Sequence, residues 1–346
     1  MRKIVIQKPG GYEQLILKKD LPDPTYSSNE CLIKVEYAGI NYADCLIRFG
    51  VYESAKHYVG WPITPGFEVS GTIIGVGDQV QKWKLGDKVM GILRFGGYSE
   101  VVSIPEENIF AIPKGFTMAQ AAGFPAVHMT AYYSLFQSLK LPPRKTKILI
   151  HSAGGGVGSA LVQLGKVAGA HVTGIVGSAH KIDYVKGLGA DDVWNKSDPS
   201  FRWSLIEEKH PDKFDVVLDA NGHTTMMQSY HFLRPTGRLV VYGSHSLVPK
   251  QGGRMDYIKA AIGLLKTPRF NPLTLITENK GVIGFNLSFL FEEKELTQEN
   301  MASLLKAIES GGLNPPKVTV YPVEDIAKAH QAIESGKTTG KLVLQF

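Results

Sequence analysis

Residues 147–159 read KILIHSAGGGVGS, a short apolar run that breaks into a cluster of glycines. The run is typical of a buried parallel strand, and an apolar helical pattern follows as far as Val167. The glycine cluster has the spacing Ala153-x-Gly155-x-x-Gly158, with alanine in place of the first glycine of the usual dinucleotide fingerprint. The segment therefore predicts a strand, a tight glycine turn and a helix.

Such a turn is suited to a diphosphate, because glycines let the backbone approach it and the helix N-terminus offers amide donors. A glycine-rich turn also occurs in ordinary α/β proteins, and this alternative stays open on the motif alone. The next strand, His171–Val176, lies about 20 residues further on, where the ribose of a dinucleotide is normally bound.

The residues after this second strand favour NADPH over NADH. An NAD site usually has Asp or Glu here, whereas this chain has Gly177, Ser178 and, three residues later, Lys181. The missing carboxylate removes repulsion against a 2′-phosphate, and Lys181 can neutralise that phosphate. The alternative is that Lys181 only lies on a solvated first helical turn.

The composition limits the other functions. The 346 residues favour two domains, and the net charge of +6 comes without a basic block that contains interleaved aromatics, so nucleic-acid binding is not expected. Cys31 and Cys45 have no metal-ligand spacing and are interpreted as structural thiols in a reducing compartment. With no apolar signal segment and no run of about 18 apolar residues, we expect a soluble cytoplasmic protein.

The order of predicted elements indicates the architecture. The first third contains short strands separated by Gly, Pro and Asp turns, which suggests a small curved barrel. A helical pattern over 118–138 is interrupted at Pro125, and strands and helices alternate over 214–243, as in a doubly wound parallel sheet. The closing strand at 341–344 is expected to return to the first domain.

Several further stretches resemble one family along nearly the whole chain. The chain resembles the medium-chain dehydrogenase/reductase superfamily, within it the zinc-free quinone oxidoreductases, and most closely the vesicle amine transport (synaptic vesicle membrane) branch. The matching stretches, besides the glycine turn, are residues 38–44, 50–52, 65–71, 85–89, 129–132 and 340–344.

The resemblance implies an α/β fold with a doubly wound parallel (Rossmann) sheet domain inserted in a β-rich GroES-like barrel domain. The predicted boundaries are 1–126 and 286–346 for the GroES-like substrate domain and 127–285 for the NADP(H)-binding domain. It also implies a homodimer that pairs through the last strand of the nucleotide sheet, here residues 281–287.

The ligands of the zinc-containing relatives are absent. Those relatives have a cysteine within the segment that corresponds to residues 41–44, and a histidine where this chain has Phe67 before Glu68. The four closely spaced cysteines of a structural zinc site are also missing. We therefore expect no metal, and we interpret the remaining possible ligands as ordinary packed side chains; these are Asp44, His128 and His151.

Without a Lewis acid the reaction must need little electrophilic help, so hydride transfer to a quinone or an α,β-unsaturated carbonyl fits. The resemblance makes Tyr52 the candidate donor to the substrate oxygen, with a packed aromatic as the alternative. It places Asn41 near the nicotinamide and its ribose, with an Asx turn as the alternative. Tyr52 and Asn41 are the predicted catalytic residues.

The resemblance also assigns positions to the cofactor, one residue at a time. Lys196 stands where many quinone reductases have tyrosine, and it either adds a phosphate contact or is solvated. The predicted cofactor-binding residues are Asn41, Thr130, Gly155, Gly156, Val157, Gly177, Ser178, Lys181, Asn195, Asn221, Tyr242, Gly243, Ser244, Phe285, Leu287 and Lys341.

The sequence is compatible with three functions to different degrees. The first is an NADPH-dependent quinone or enone reductase. The second is a cofactor-binding scaffold that binds lipid or protein with little turnover, for which apolar residues in 247–275 would form a lid; packing of these residues in the core or at the dimer contact is the alternative. The third, a zinc-free alcohol dehydrogenase, is disfavoured because an alcohol has no easy route to an alkoxide here.

Overall fold

Two large β-sheets organise the chain, whose computed structural model describes residues 1–139, 141, 145–249 and 253–346. The strands are β1 (Lys3–Val5), β2 (Ile16–Lys18), β3 (Glu30–Ile40), β4 (Glu68–Val76), β5 (Lys88–Ile92), β6 (Val101–Pro105), β7 (Ile109–Ala111), β8 (Lys147–Ile150), β9 (His171–Val176), β10 (Asp192–Asn195), β11 (Phe214–Asp219), β12 (Leu233–Val241), β13 (Gly281–Gly284), β14 (Val318–Pro322) and β15 (Lys341–Gln345).

The helices connect and cover these sheets, and short 3₁₀ turns join several of them. They are α1 (Tyr42–Phe49), α2 (Glu53–Tyr58), α3 (Met118–Ala122), α4 (Pro125–Tyr132), α5 (Gly156–Val167), α6 (Ile182–Gly187), α7 (Trp203–Lys209), α8 (Met226–His231), α9 (Tyr257–Leu265), α10 (Pro272–Glu278), α11 (Lys294–Glu309) and α12 (Ile326–Glu334).

The sheet predicted from residues 147–159 is present and parallel. Its strand order is β10-β9-β8-β11-β12-β13, and every neighbouring pair is parallel. Ile148, Leu149 and Ile150 are fully buried, as expected for a strand covered on both faces. The order reverses between β8 and β11, and ligands of such sheets bind at the carboxyl ends of the strands beside this switch point. The prediction of a doubly wound domain is confirmed.

The second sheet joins both ends of the chain. Its order is β14-β15-β3-β4-β5-β7, with β6 also paired to β3. The closing strand β15 is antiparallel to β3, with Leu342 opposite Ile40 and Leu344 opposite Ala38. The prediction that the C-terminal segment returns to the first domain is therefore confirmed.

Helix α11 connects the two parts by its packing. Its buried Met301 and Leu304 lie in the same apolar core as Ile148 and Leu161 of the parallel-sheet layer, although α11 follows residue 286. The domain boundary predicted at residues 285 and 286 therefore stays a prediction, because the core does not divide there.

The apolar segment 247–275 divides into a buried and an exposed part, and its residues 250–252 lie outside the described part of the chain. Val248 packs against Cys45 and Phe49. By contrast, Leu265 on α9 is 84% exposed and Leu273 on α10 is 70% exposed. The alternative that these two leucines pack in the core is therefore wrong. Among the helices of the described residues, none is both long and apolar enough to cross a membrane.

Candidate active site

A cavity of about 800 Å³ lies at the carboxyl ends of the parallel strands and is closed by residues from α1, α2 and β15. Its volume is in the range of small-molecule sites. Of the predicted site residues, Asn195 does not line it. Those that do are Asn41, Tyr52, Thr130, Gly155, Gly156, Val157, Gly177, Ser178, Lys181, Asn221, Tyr242, Gly243, Ser244, Phe285, Leu287 and Lys341.

The glycine turn after β8 presents backbone donors to this cavity. Helix α5 begins at Gly156, and its N-cap is Gly155, which has no side-chain acceptor. A Cβ atom on Gly158 would lie 2.2 Å from the Ser152 carbonyl oxygen, so only glycine fits this turn. Because the first amides of a helix have no intrahelical acceptor, the start of α5 is suited to bind an anion.

The C-terminal strand is attached to this turn. The Gly340 amide donates to the Gly154 carbonyl oxygen over 2.9 Å, and Gly155 and Gly340 form a parallel bridge. This contact brings Lys341, the first residue of β15, to the base of the cavity. The turn and the second sheet therefore form one continuous site.

Asn221, which follows β11, supplies an unused donor. Its Oδ1 accepts a hydrogen bond from Ser152 Oγ over 3.0 Å. Its Nδ2 is buried and has no hydrogen-bond partner within the described part of the chain. Since buried donors are nearly always paired, this amide fits a group that brings an acceptor into the cavity.

Lys181 is buried at the end of β9, with only 6% of its surface exposed. Its ammonium group donates to the Gly336 carbonyl oxygen over 2.6 Å. Burial, and to a smaller extent the positive charge of Lys196, lowers the pKa of Lys181 to about 8. The alternative that Lys181 is a solvated surface residue is therefore wrong. Lys196 also lines the cavity, so two cations face its rim.

Asn195 is close to this rim but forms a turn instead of lining it. Its Oδ1 accepts from the Ser197 amide over 3.1 Å, which is an Asx turn. Ser197 Oγ then donates to the Gly177 carbonyl oxygen over 3.0 Å. Asn195 thus supports the loop that carries Lys196 and Ser197.

Asn41, Glu68 and Lys341 form a buried polar network at the base of the cavity. Lys341 Nζ lies 2.6 Å from Glu68 Oε1 and also donates to Asn41 Oδ1. Asn41 Nδ2 donates to Glu68 Oε1 over 3.0 Å, and Glu68 Oε2 accepts from the Ala126 amide over 2.7 Å. These bonds fix the orientation of the Asn41 side chain in the cavity wall.

Asp44 holds the segment that carries Asn41. Its carboxylate accepts from the Asn41 amide over 2.7 Å, from the Gly66 amide over 2.9 Å and from the Tyr98 hydroxyl over 2.8 Å. Complete burial raises the pKa of Asp44 to about 6, against the opposing effect of these hydrogen bonds. Asp44 is therefore a structural group rather than a free ligand.

Tyr52 also lines the cavity, as the N-cap residue of α2. The left-handed Gly50, with φ of +77°, ends α1 and turns the chain towards it. The Tyr52 hydroxyl donates to Asn286 Oδ1 over 2.9 Å, and Phe67 packs edge-on at 5.9 Å between ring centroids. Burial raises the pKa of Tyr52 to about 12, so the hydroxyl stays protonated and acts as a donor.

Asn286 and His245 were not predicted as site residues. Asn286 lies between the predicted Phe285 and Leu287, but its partner Tyr52 is far away in sequence, so no local pattern shows the pair. His245 follows Ser244 and packs on the Tyr42 ring at 4.1 Å. Burial lowers the pKa of His245 to about 4, so the imidazole is neutral at pH 7.

The side chains that the sequence leaves as possible metal ligands have other contacts. His128 Nδ1 lies 2.9 Å from the Phe124 carbonyl oxygen, and the two rings stack. His151 Nε2 lies 2.9 Å from Ser229 Oγ. The Glu68 carboxylate pairs with the Lys341 ammonium. The absence of a catalytic metal remains a prediction from these donor sets.

Two family models match parts of this chain. Residues 27–114 match the alcohol dehydrogenase GroES-like domain, and residues 188–344 match the family described as zinc-binding dehydrogenase. The synaptic vesicle membrane protein VAT-1 homolog of Danio rerio is 31% identical over 99% of this chain and 69% of that protein.

Two solved structures show the same fold along the chain. The Escherichia coli quinone oxidoreductase complexed with NADPH has a TM-score of 0.84 and 28% identity, and the match covers 100% of both chains. The CurK enoyl reductase has a TM-score of 0.83 and 27% identity over 99% of this chain and 98% of that one. The chain belongs to the medium-chain dehydrogenase/reductase family, in the group that contains the quinone oxidoreductases and the VAT-1 homologs.

Proposed function

We propose that this protein is an NADPH-dependent, metal-independent oxidoreductase that reduces a quinone or an α,β-unsaturated carbonyl. One observation carries the proposal: Gly156 and Val157, at the start of α5, line the same cavity as Lys181 and Lys196. NADPH, when bound, supplies the hydride from its nicotinamide ring. The similarity to the quinone oxidoreductase and the enoyl reductase supports both acceptor classes.

Different residues of the cavity bind different parts of NADPH. The amides of Gly156 and Val157 bind the diphosphate, and the positive end of the α5 dipole favours its charge. Asn221 Nδ2 donates to the cofactor, and Lys181 with Ser178 binds the 2′-phosphate at the end of β9. Asn41, held by Lys341 and Glu68, positions the nicotinamide end.

Tyr52 acts on the acceptor. Its hydroxyl is protonated at neutral pH and donates its one proton to Asn286 Oδ1 in the empty cavity. When an acceptor binds, this proton turns from Asn286 to the substrate oxygen, where negative charge develops. The ring of Phe67 and the apolar cavity wall keep water from competing for this donor.

The proposal is tested by mixing the full chain with NADPH and a panel of small ortho-quinones, para-quinones and enones. Loss of the reduced-nicotinamide absorbance is expected with at least one acceptor class, and removal of divalent ions by a chelator is expected to leave the rate unchanged. No turnover across the panel, or turnover that the chelator abolishes, contradicts the proposal.

Replacing Tyr52 by phenylalanine is expected to lower kcat about 100-fold, because one preorganised donor to the developing charge is lost. The NADPH dissociation constant is expected to change less than about threefold, since Tyr52 contacts the acceptor end of the cavity. Steady-state kinetics and calorimetric titration check both values. An unchanged kcat would show that Tyr52 is only a packed aromatic.

The affinity for NADPH is expected to fall as the pH rises above about 8, by up to about tenfold per pH unit. Above about pH 8 the Lys181 side chain of the free protein is largely deprotonated, whereas in the complex the nearby 2′-phosphate raises the pKa of Lys181 and keeps it protonated. Binding then requires the uptake of a proton, so the affinity falls as the pH rises. NADH lacks this phosphate and is expected to show no such dependence on Lys181. Calorimetry at several pH values checks this, and Lys181→Met should remove the extra slope; a slope that persists in the variant contradicts the assignment.

We also propose that two copies pair through β13. This strand is at the edge of the parallel sheet and is paired with β12 on one side. The neighbouring α9 and α10 expose Ile258, Leu265, Leu273 and Ile276, which a partner would cover. Analytical ultracentrifugation is expected to give a dimer, and the double variant Leu273→Lys, Ile276→Lys a monomer; a monomeric wild type contradicts the proposal.

The same exposed side chains favour a second candidate function, a cofactor-binding scaffold with little turnover. Under this hypothesis α9 and α10 bind lipid or another protein, and the cofactor acts as a signal. Tight NADPH binding without oxidation by any acceptor, together with sedimentation on phosphatidylcholine vesicles, would support the scaffold over the reductase.

A further inference from the structure

A second group of polar side chains lies at the opposite edge of the parallel sheet from the cavity. His171 is the first residue of β9, Asp192 is the first residue of β10, and His210 directly follows α7. Because the strands are parallel, these positions share the amino-terminal edge, whereas the cavity lies at the carboxyl edge. None of the three lines the cavity.

The two imidazole rings approach the same carboxylate oxygen of Asp192. His171 Nε2 lies 2.9 Å from Asp192 Oδ2, and His210 Nε2 lies 3.3 Å from the same oxygen. One ligand atom from each residue lies within 4.8 Å of the others. Around a tetrahedral zinc ion with bonds of about 2.0–2.1 Å, ligand atoms are about 3.3 Å apart, so the group needs little rearrangement.

The surroundings suit a bound cation that enters from solvent. Asp192 and His210 are buried, and the side chain of His171 is 26% exposed, which leaves an opening on one side. Asp191 Oδ2 lies 3.9 Å from His171 Nδ1, the ring nitrogen that a metal on Nε2 would leave free. The Asp191 carboxylate pairs with Lys166 and accepts from the Val172 amide, so it is a negative neighbour of the ring without a direct hydrogen bond to it.

The other contacts of these residues do not block the shared position. The Lys209 ammonium pairs with the Oδ1 atom of Asp192 and leaves Oδ2 to the imidazoles. Lys209 is half exposed, so its ammonium can move outward. Thr173 Oγ1, 3.4 Å from His210 Nε2, adds a polar neighbour on the inner side.

Another cluster of side chains that could bind a metal is less suitable than the group of His171, Asp192 and His210. It consists of Cys45, His330 and Glu334, which are all buried. Glu334 already pairs with the Arg48 guanidinium and accepts from Tyr12, so a cation there would meet a fixed positive charge. A metal bound at this group would have the Cys45 thiolate as a ligand, and the Co²⁺ experiment below distinguishes that case.

We propose that His171, Asp192 and His210 bind a divalent transition metal of the zinc class, with water in the remaining position. The two imidazoles and one carboxylate are the donor set of three-ligand zinc sites. The ion would join β9, β10 and the end of α7, far from the reacting groups. Its role is therefore structural, and it does not alter the prediction that hydride transfer needs no metal.

The test uses the full chain, stripped of metal by a chelator and then titrated with Zn²⁺ alone. One equivalent is expected to bind and to raise the Tm. His210→Gln is expected to weaken binding at least about 100-fold, because a direct ligand is lost. His231→Gln is the matched control, since His231 also pairs with a carboxylate, Glu207, at an exposed position; this variant should bind like the wild type.

Co²⁺ then reports the ligand type. Visible d–d absorption without a thiolate charge-transfer band is expected, because the proposed ligands are nitrogen and oxygen. A thiolate band would place the metal at Cys45 and overturn the proposal, as would the absence of stoichiometric binding or equal binding by His210→Gln. If His210→Gln does not fold, as judged by circular dichroism, the more exposed His171→Gln replaces it with the same expectation.

Discussion

Gly177→Asp is expected to lower kcat/KM for NADPH about 100-fold or more and to reverse the preference towards NADH. The new carboxylate would lie where the 2′-phosphate binds, and like charges at short range cost several kcal/mol. Residue 177 accepts a side chain, since a Cβ atom there would meet nothing within 4 Å. The same carboxylate can accept hydrogen bonds from the ribose hydroxyls of NADH.

Gly177→Asn is the matched control, because it adds nearly the same volume without the charge. It is expected to lower kcat/KM for NADPH much less than the aspartate does. Steady-state kinetics with both cofactors checks the pair. An equal loss in the two variants would mean that the effect is steric, and an unchanged preference in Gly177→Asp would place the 2′-phosphate elsewhere.

Lys341→Met is expected to lower the free energy of unfolding by about 3–5 kcal/mol, since it leaves the buried Glu68 carboxylate without its cation. The change also frees Asn41 Oδ1, so the NADPH affinity should fall together with the stability. Urea unfolding followed by circular dichroism measures the first effect, and calorimetry measures the second.

The double variant Lys341→Met, Glu68→Gln is the control for this experiment. It removes both charges. The glutamine oxygen can accept from the Ala126 amide, and the glutamine NH2 group can donate to Asn41 Oδ1, which the loss of Lys341 frees, once the Asn41 amide turns over. The double variant is expected to recover most of the lost stability, as a coupled pair should in a double-mutant cycle. If the loss of stability in the double variant equals the sum of the losses in the two single variants, Glu68 and Lys341 act independently.

The local patterns predicted the parallel sheet and its ligand edge well. The run at 147–150 and the glycines after it define β8 and the start of α5, because strand burial and turn chemistry act over a few neighbouring residues. The residues after β9, which lack a carboxylate and include Lys181, likewise indicate a 2′-phosphate site, and this assignment stays a prediction.

The rest of the site depends on contacts between distant parts of the chain. The Tyr52 and Asn286 pair, and the attachment of Lys341 to Glu68 and Asn41, join segments that only the fold brings together. The burial of Lys181 follows from its contact with the Gly336 carbonyl oxygen, which no local pattern shows. The sequence left a lid, core packing and a dimer contact open for Leu265 and Leu273, and their exposure excludes core packing alone.

Calorimetric titration of the wild-type chain with NADPH and with NADH at pH 7 measures whether the cavity binds a phosphorylated dinucleotide. We expect one NADPH per chain, bound at least about tenfold more tightly than NADH, because Lys181 is charged at this pH and meets the 2′-phosphate. Binding of neither dinucleotide, or tighter binding of NADH, would contradict this expectation.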